Sequence, residues 1–230
     1  MLFRDRIDAG EQLAKALAPW RGKRPIVYAI PRGAVPMGQV IAQALGGELD
    51  VVLVRKLGAP GNPEYAIGAI DESGWAYVAP HARAAGADAA YIKRRKEEEL
   101  ARIRQRRAQY SPLRPAHDPA GRIVIVIDDG LATGSTMIAA LHALRSRKPQ
   151  KLVCAVPVAP PDTLEQVARY CDEVVCLEAP DDFRAVGQFY LDFGQVEDDE
   201  VIEILGSVQD KDVPGDRVPG AKGNSRADSL

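Results

Sequence analysis

Fully apolar runs alternate along this chain with stretches of helical spacing. PIVYAI, from Pro25 to Ile30, reads as a strand, and the following AVPMGQVIAQALGG places apolar residues at helical intervals and stops on glycine. ELDVVLVRKL, starting at Glu48, predicts a second strand and RIVIVIDDG, starting at Arg122, another. A helix over STMIAALHALRSRK, a strand over KLVCAVPVA, a helix over PDTLEQVARY and a strand over DEVVCLEAP complete the pattern. Strands that are apolar on both faces and alternate with helices predict an α/β fold. Its central parallel sheet has about five strands, covered by helices on both sides.

Three segments leave the alternation. Lys56 to Pro80 is rich in Gly and Pro and long enough to predict a functional loop or hairpin rather than a simple connector. Ala87 to Tyr110 carries YIKRRKEEELARIRQRR, a long charged helix in which Lys93, Arg94 and Arg95 each have a glutamate four residues on. Its excess positive charge fits a solvated or subunit-facing helix better than an RNA-binding one. Ser207 to Leu230 holds no aromatic residue and many Gly, Pro, Asp and Lys, which predicts a disordered tail after one domain over residues 1–206.

Composition narrows the classes. The 230 residues are 46% hydrophobic, enough for a sizeable core, and the net charge of -2 gives no reason to expect nucleic acid or an anionic membrane as partner. No apolar run approaches the roughly 20 residues of a membrane span. The charged opening MLFRDRIDAGEQLAKAL reads as a helix entry and lacks the apolar core of a signal peptide. Cys154, Cys171 and Cys176 have no metal-ligand spacing and suit a reducing, cytoplasmic setting as core thiols. His81, His117 and His142 are scattered and suggest no triad.

Chemistry concentrates in IVIVIDDGLATGST, Ile123 to Thr136. Parallel strands border the ligand crevice at their C-terminal ends, which places Asp128 and Asp129 where ligands bind. Two adjacent carboxylates can accept hydrogen bonds from a vicinal diol such as the 2′- and 3′-hydroxyls of ribose. The turn that follows enters a helix whose first amides are unpaired and carry the positive end of the dipole. Gly134 permits close approach, while Thr133, Ser135 and Thr136 add hydroxyls. That combination cradles a phosphate. A diol grip followed by a phosphate cradle describes a ribose 5-phosphate. The Walker pattern fails for want of its lysine, and no G-x-G-x-x-G follows the first strand.

VIVIDDGLATGST resembles the binding motif for phosphoribosyl pyrophosphate (PRPP) of the type I phosphoribosyltransferases, in the variant of the adenine enzymes, which also have Ala before T-G. The span from about Met1 to Leu205 is also similar to a bacterial group of phosphoribosyltransferase-like proteins, with VRKLGAPGNPEYAIGAIDE and FRAVGQFYLDF as shared phrases. The resemblance implies the type I fold, with a flexible catalytic loop or hairpin and a small C-terminal hood over about residues 179–206. It implies that Asp128 and Asp129 hold the ribose and that Ala132, Thr133, Gly134, Ser135 and Thr136 hold the 5-phosphate. IPRGAVPMG, Ile30 to Gly38, has the form of the family's pyrophosphate loop. That form assigns Arg32 and Gly33 to the leaving group and often makes the peptide before the basic residue cis, here Pro31–Arg32. Arg55 and Lys56 match the pair opening the mobile catalytic loop, whose cations stabilise charge on the leaving group as the loop closes.

Glu64, beside Tyr65, resembles a proposed acid/base of the adenine enzymes, although its offset from Arg55–Lys56 is shorter; it reads equally as a turn residue after Pro63. In DDFRAVGQFYLDFGQ, Phe183, Val186, Tyr190 and Phe193 fall at helical spacing, which predicts a core face. The family's hood stacks an aromatic on the acceptor, making Phe183 and Tyr190 candidates. The expected reaction is Mg²⁺-dependent transfer of ribose 5-phosphate from PRPP to a nitrogenous acceptor such as a nucleobase, in nucleotide metabolism. The metal arrives on PRPP rather than in a protein cage, and a homodimer is usual for the family. Two other readings stay open: a non-catalytic PRPP- or nucleotide-binding regulator, and a hydrolase or phosphorylase using water or phosphate as acceptor. Nothing in the hood names the acceptor.

Overall fold

The structure, a computed structural model, describes residues 2–110 and 116–207. The chain opens with α1 (Arg6–Ala16), β1 (Ile26–Ala29), α2 (Ala34–Leu45) and β2 (Glu48–Val51). An excursion of three strands follows, β3 (Val54–Ala59), β4 (Asn62–Asp71) and β5 (Ala76–Val78), and then the long α3 (Ala89–Tyr110). Alternation resumes with β6 (Ile123–Ile127), α4 (Ser135–Arg145), β7 (Lys151–Val158), α5 (Pro161–Ala168) and β8 (Glu173–Glu178), and α6 (Asp198–Ser207) closes the described chain.

Five strands form the expected parallel sheet in the order β2–β1–β6–β7–β8. Strand β6 lies at its centre, with Val124, Ile125, Val126 and Ile127 all fully buried. Burying each such side chain contributes about 1.5–3 kcal/mol of transfer free energy. Alternation sends Val27, Ala29, Ile125 and Ile127 into the core shared with α1 and α2, and Ile26, Tyr28, Val124 and Val126 into the core shared with α4. Both faces are therefore covered. The ends of the helices follow local chemistry. Asp5 caps α1 by accepting from the amide of Asp8 at 2.8 Å, and α2 stops at Gly46, which takes the left-handed conformation expected of a helix-ending glycine.

Two expectations need correcting. ELDVVLVRKL is not one strand. The amide of Val52 still bonds Ala29 in the parallel ladder, but that of Leu53 donates to Glu72 Oε1 at 3.1 Å. From Val54 the chain pairs antiparallel in a separate three-stranded sheet, β3–β4–β5. The aromatic phrase near residue 190 is not an α-helix either. It forms one 3₁₀ turn, Val186–Phe189, and then runs extended to bridge Tyr190 with Phe3. Main-chain bonds from Phe3 to Phe189 and from Leu191 to Phe3 hold this pairing, so the aromatic spacing serves an extended strap. The charged segment is helical as expected, and the Gly/Pro-rich segment is the β3–β4 hairpin extended by β5. Of the predicted tail only Ser207 falls within the described residues, as the last residue of α6; 208–230 lie outside them.

Candidate active site

The sheet reverses its winding between β1 and β6. From β1 the chain crosses through α2 to β2 on one side, and from β6 it crosses through α4 to β7 on the other. A crevice at the C-terminal edge of an open α/β sheet forms at such a switch point. The two loops that leave β1 and β6 are its walls, tied together where the amide of Ile30 donates to the carbonyl of Ile127 at 3.1 Å. The Pro31–Arg32 peptide is cis, the geometry the resemblance implied. Gly33 then meets the acidic pair so closely that a Cβ there would lie 2.2 Å from Asp129 Oδ2. The glycine loop and the acidic motif, 96 residues apart from Gly33 to Asp129, are thus one surface.

Asp128 and Asp129 immediately follow β6. Asp128 Oδ1 accepts from the amide of Asp129 at 2.9 Å. Burial, together with the like charge of its neighbour, pushes the Asp128 carboxyl well above the usual carboxylate range. Burial also raises Asp129, but Arg6 opposes that rise, donating from Nε to Asp129 Oδ2 at 2.8 Å. Arg6 comes from the first turn of α1. Its guanidinium also donates through Nη1 to the carbonyl of Gly194 at 2.5 Å and lies 4.0 Å above the Phe193 ring. From the other side, the Tyr190 hydroxyl donates to the Asp129 carbonyl at 2.6 Å.

The residues expected to cradle a phosphate, Ala132 to Thr136, form the loop after β6 and the first turn of α4. Gly134 precedes α4 with φ +71°, a conformation that favours glycine, and a Cβ there would come within 2.9 Å of Thr163. Thr133 and Ser135 hydroxyls are 3.2 Å apart, and Ser135 is buried. Thr163 on α5 donates to the Ala132 carbonyl at 2.8 Å, and the amide of Leu131 donates to Val158 at 2.9 Å, so the turn is pinned from two neighbouring elements. The start of α4, where the Ser135 amide makes only a long 3.5 Å bond to Thr133 Oγ1, suits an anion.

The hairpin residues are engaged elsewhere in this conformation. Arg55 donates to Glu99 on α3 at 2.6 Å, and the buried Glu99 also accepts from Arg95 at 2.7 Å and Arg102 at 2.9 Å. Lys56 bonds the carboxylate and carbonyl of Glu64 at 2.9 and 3.1 Å. A hydrogen bond from Lys56 holds the exposed Glu64 carboxyl below its ordinary range. Arg32 reaches Glu197 at 3.4 Å and Asp198 at 3.6 Å, at the start of α6. No described ion pair or hydrogen bond joins Arg55, Lys56 or Glu64 to the aspartates, although their hairpin packs on α4.

Among the hood aromatics, Tyr190 is buried between Phe3 at 5.4 Å and Phe193 at 4.9 Å, and it serves the Asp129 loop. Phe183 stacks on Phe189 at 5.5 Å and is only partly buried. Gly130 lies directly under this strap, since a Cβ there would fall 2.5 Å from Val186. Sequence reasoning missed Arg6, Thr163 and Glu99. Arg6 stands in an ordinary capped helix start, and nothing local signals a partner 123 residues away.

The family model described as "Phosphoribosyl transferase domain" matches residues 5–194. Two Mycobacterium tuberculosis proteins from different strains, "Putative phosphoribosyl transferase Rv0571c" and "Putative phosphoribosyl transferase MT0597", are each 43% identical over 205 residues, covering 89% of this chain and 46% of the relative. This chain therefore spans about half the length of those relatives. The crystal structure of TT1426 from Thermus thermophilus is 47% identical, covers 90% of this chain and 98% of its own, and superposes with a TM-score of 0.75. With the five-stranded parallel sheet, the switch-point crevice and the acidic motif in place, the match over residues 5–194 shows that this chain belongs to the phosphoribosyl transferase family, a family of glycosyltransferase-type enzymes.

Proposed function

We propose that this protein transfers ribose 5-phosphate from PRPP to a nitrogenous acceptor, with a nucleobase as the first candidate, and releases pyrophosphate. One observation carries the reading: the glycine loop, the paired carboxylates and the helix-start cradle converge on a single switch-point crevice. Asp128 and Asp129 accept hydrogen bonds from the ribose diol, and Ala132 to Thr136 bind the 5-phosphate through amides and hydroxyls. Arg32 and the amides around Gly33 bind the pyrophosphate. As the C1–oxygen bond breaks, an oxocarbenium-like sugar forms while charge builds on the leaving group. Arg55 and Lys56 exchange Glu99 and Glu64 for that charge when the hairpin closes and excludes water. Glu64, released from Lys56, would accept the acceptor's proton, and Phe183 offers an aromatic face on the hood side.

Mg²⁺ fits this donor set as a passenger on PRPP. No cluster of three or more candidate ligands occurs among the described residues, while Asp128 has no cation in an ion pair there. Asp128 and Asp129 would face the PRPP-borne ion, and the chemistry it would supply is withdrawal of charge from the pyrophosphate.

The test mixes the protein with PRPP, Mg²⁺ and a panel of bases and measures pyrophosphate release. Release that requires one base, and falls by at least about 100-fold in Asp129→Asn, supports the transferase. A transition-state contact of this kind is typically worth 10²–10³ in rate. PRPP binding by calorimetry without release on any base would instead favour a regulatory PRPP-binding protein.

A further inference from the structure

The acidic pair poses a physical problem that its own motif does not solve. Two neighbouring carboxylates in poorly hydrated surroundings repel each other and drift toward protonation, yet a diol grip needs them ionised. Among the described residues, Arg6 is the one cation in an ion pair with either aspartate. Its side chain is only 13% exposed and that of Asp129 16%.

We infer that Arg6 is a positioning residue for the donor's ribose: it fixes the carboxylate of Asp129 through Oδ2 and holds its negative charge, leaving Oδ1 to accept from the sugar diol. The inference rests on the PRPP reading of the crevice. Three anchors, from two parts of the fold distant in sequence, support it. Arg6 Nε bonds Asp129 on the β6 loop at 2.8 Å, Nη1 bonds the Gly194 carbonyl at 2.5 Å, and the guanidinium plane covers Phe193 at 4.0 Å. The last two are independent of Asp129, so Arg6 keeps its place whether or not a sugar is bound. Gly33 completes the clamp: the position of its missing Cβ lies 2.2 Å from Asp129 Oδ2 and 3.2 Å from Arg6 Nε. The carboxylate is therefore confined between α1 and the pyrophosphate loop. A planar fork with several donors suits this double engagement, and a lysine cannot reproduce it.

The other ionisable groups facing the pair are few. Tyr190 approaches from the strap and Cys154 lies behind on β7; burial raises both, which keeps them neutral at physiological pH. None can take over from Arg6.

The test uses the full chain, Arg6→Gln and Arg6→Lys. Carbon-13 carboxyl titration of the free protein reads the ionisation of the pair, calorimetry reads PRPP affinity from pH 5 to 9, and thermal melting checks that each variant folds. In Arg6→Gln the pair should ionise about 1–3 pH units higher, the usual effect of losing an opposite charge at this range. PRPP affinity should fall about tenfold for each unit by which that value exceeds the assay pH, and recover at high pH. Arg6→Lys should restore most of the titration but not all of the affinity. A carboxyl titration unchanged in Arg6→Gln overturns the inference, and so does tighter PRPP binding, which would make Arg6 a latch that the donor displaces. Failure of the unaltered protein to bind PRPP would sink the donor reading instead, while the titration still decides whether Arg6 holds the charge of Asp129.

Discussion

Gly33→Ala is a sharp perturbation because it adds one methyl group and nothing else. Gly33 has φ −54° and ψ −35°, a conformation alanine prefers, so the backbone gives no reason for harm. The new Cβ would nevertheless lie 2.2 Å from Asp129 Oδ2, where ordinary contact begins at 3.4 Å. The carboxylate must retreat by about 1 Å, and Arg6 and the facing loops leave it little room. A misplacement of about 1 Å at a reacting centre costs on the order of 10²-fold in rate, and overpacking costs about 1–3 kcal/mol of stability. We expect kcat/KM for PRPP, read as pyrophosphate release, to fall about 100-fold, with a Tm lowered by only about 2–12 °C at the usual 2–4 °C per kcal/mol. Gly206→Ala is the control, because nothing lies within 4 Å of its added methyl. Activity of Gly33→Ala within threefold of the unaltered protein would refute the claim that Gly33 exists to admit Asp129.

Two further outcomes follow from buried charge. Asp128 titrates above its unfolded value when folded, so its favourable contribution is complete below about pH 4 and is lost as pH rises through the folded pKa. Asp128→Asn should therefore melt higher than the unaltered protein at pH 7 and show a flatter Tm–pH profile between pH 4 and 8, while losing PRPP binding; parallel profiles would contradict this. Glu99→Gln removes the carboxylate shared by Arg55, Arg95 and Arg102, and should cost about 1–3 kcal/mol, measured by denaturant unfolding, with faster amide exchange along α3. An unchanged unfolding midpoint would show that the cluster is already solvated.

The parallel sheet was legible because its strands are buried on both faces, leaving runs such as Ile123–Ile127 with no polar interruption. The placement of Asp128, Asp129 and the following turn between strand and helix was legible because these residues are consecutive, so their geometry is local. The break after Val52 was not, since VVLV reads as one strand until Glu72, nineteen residues beyond Leu53, takes the Leu53 amide. The hood misled for a related reason. Helical spacing of Phe183, Val186, Tyr190 and Phe193 predicts one core face, but in the extended strap only Tyr190 of the four is buried, against Phe3, while Phe193 stays exposed. Arg6 and Glu99 owe their roles to partners far away in the chain, and single-sequence periodicity carries no information about those.

The pairing of Phe3 with Tyr190 has a consequence for how the protein is made. Phe3 and Arg6 leave the ribosome nearly 190 residues ahead of their partners, Phe189 to Gly194. At about 5–20 residues per second that is a wait of roughly 10–40 s, during which Phe3 and Arg6 have no docking place. The sheet centre and the Asp128–Asp129 pair emerge within that interval, so the crevice exists before the strap that closes it. Folding thus includes a zippering step that joins the Phe3 segment to the Phe189–Gly194 segment, and a nascent chain stalled before residue 189 would hold the acidic pair without that strap.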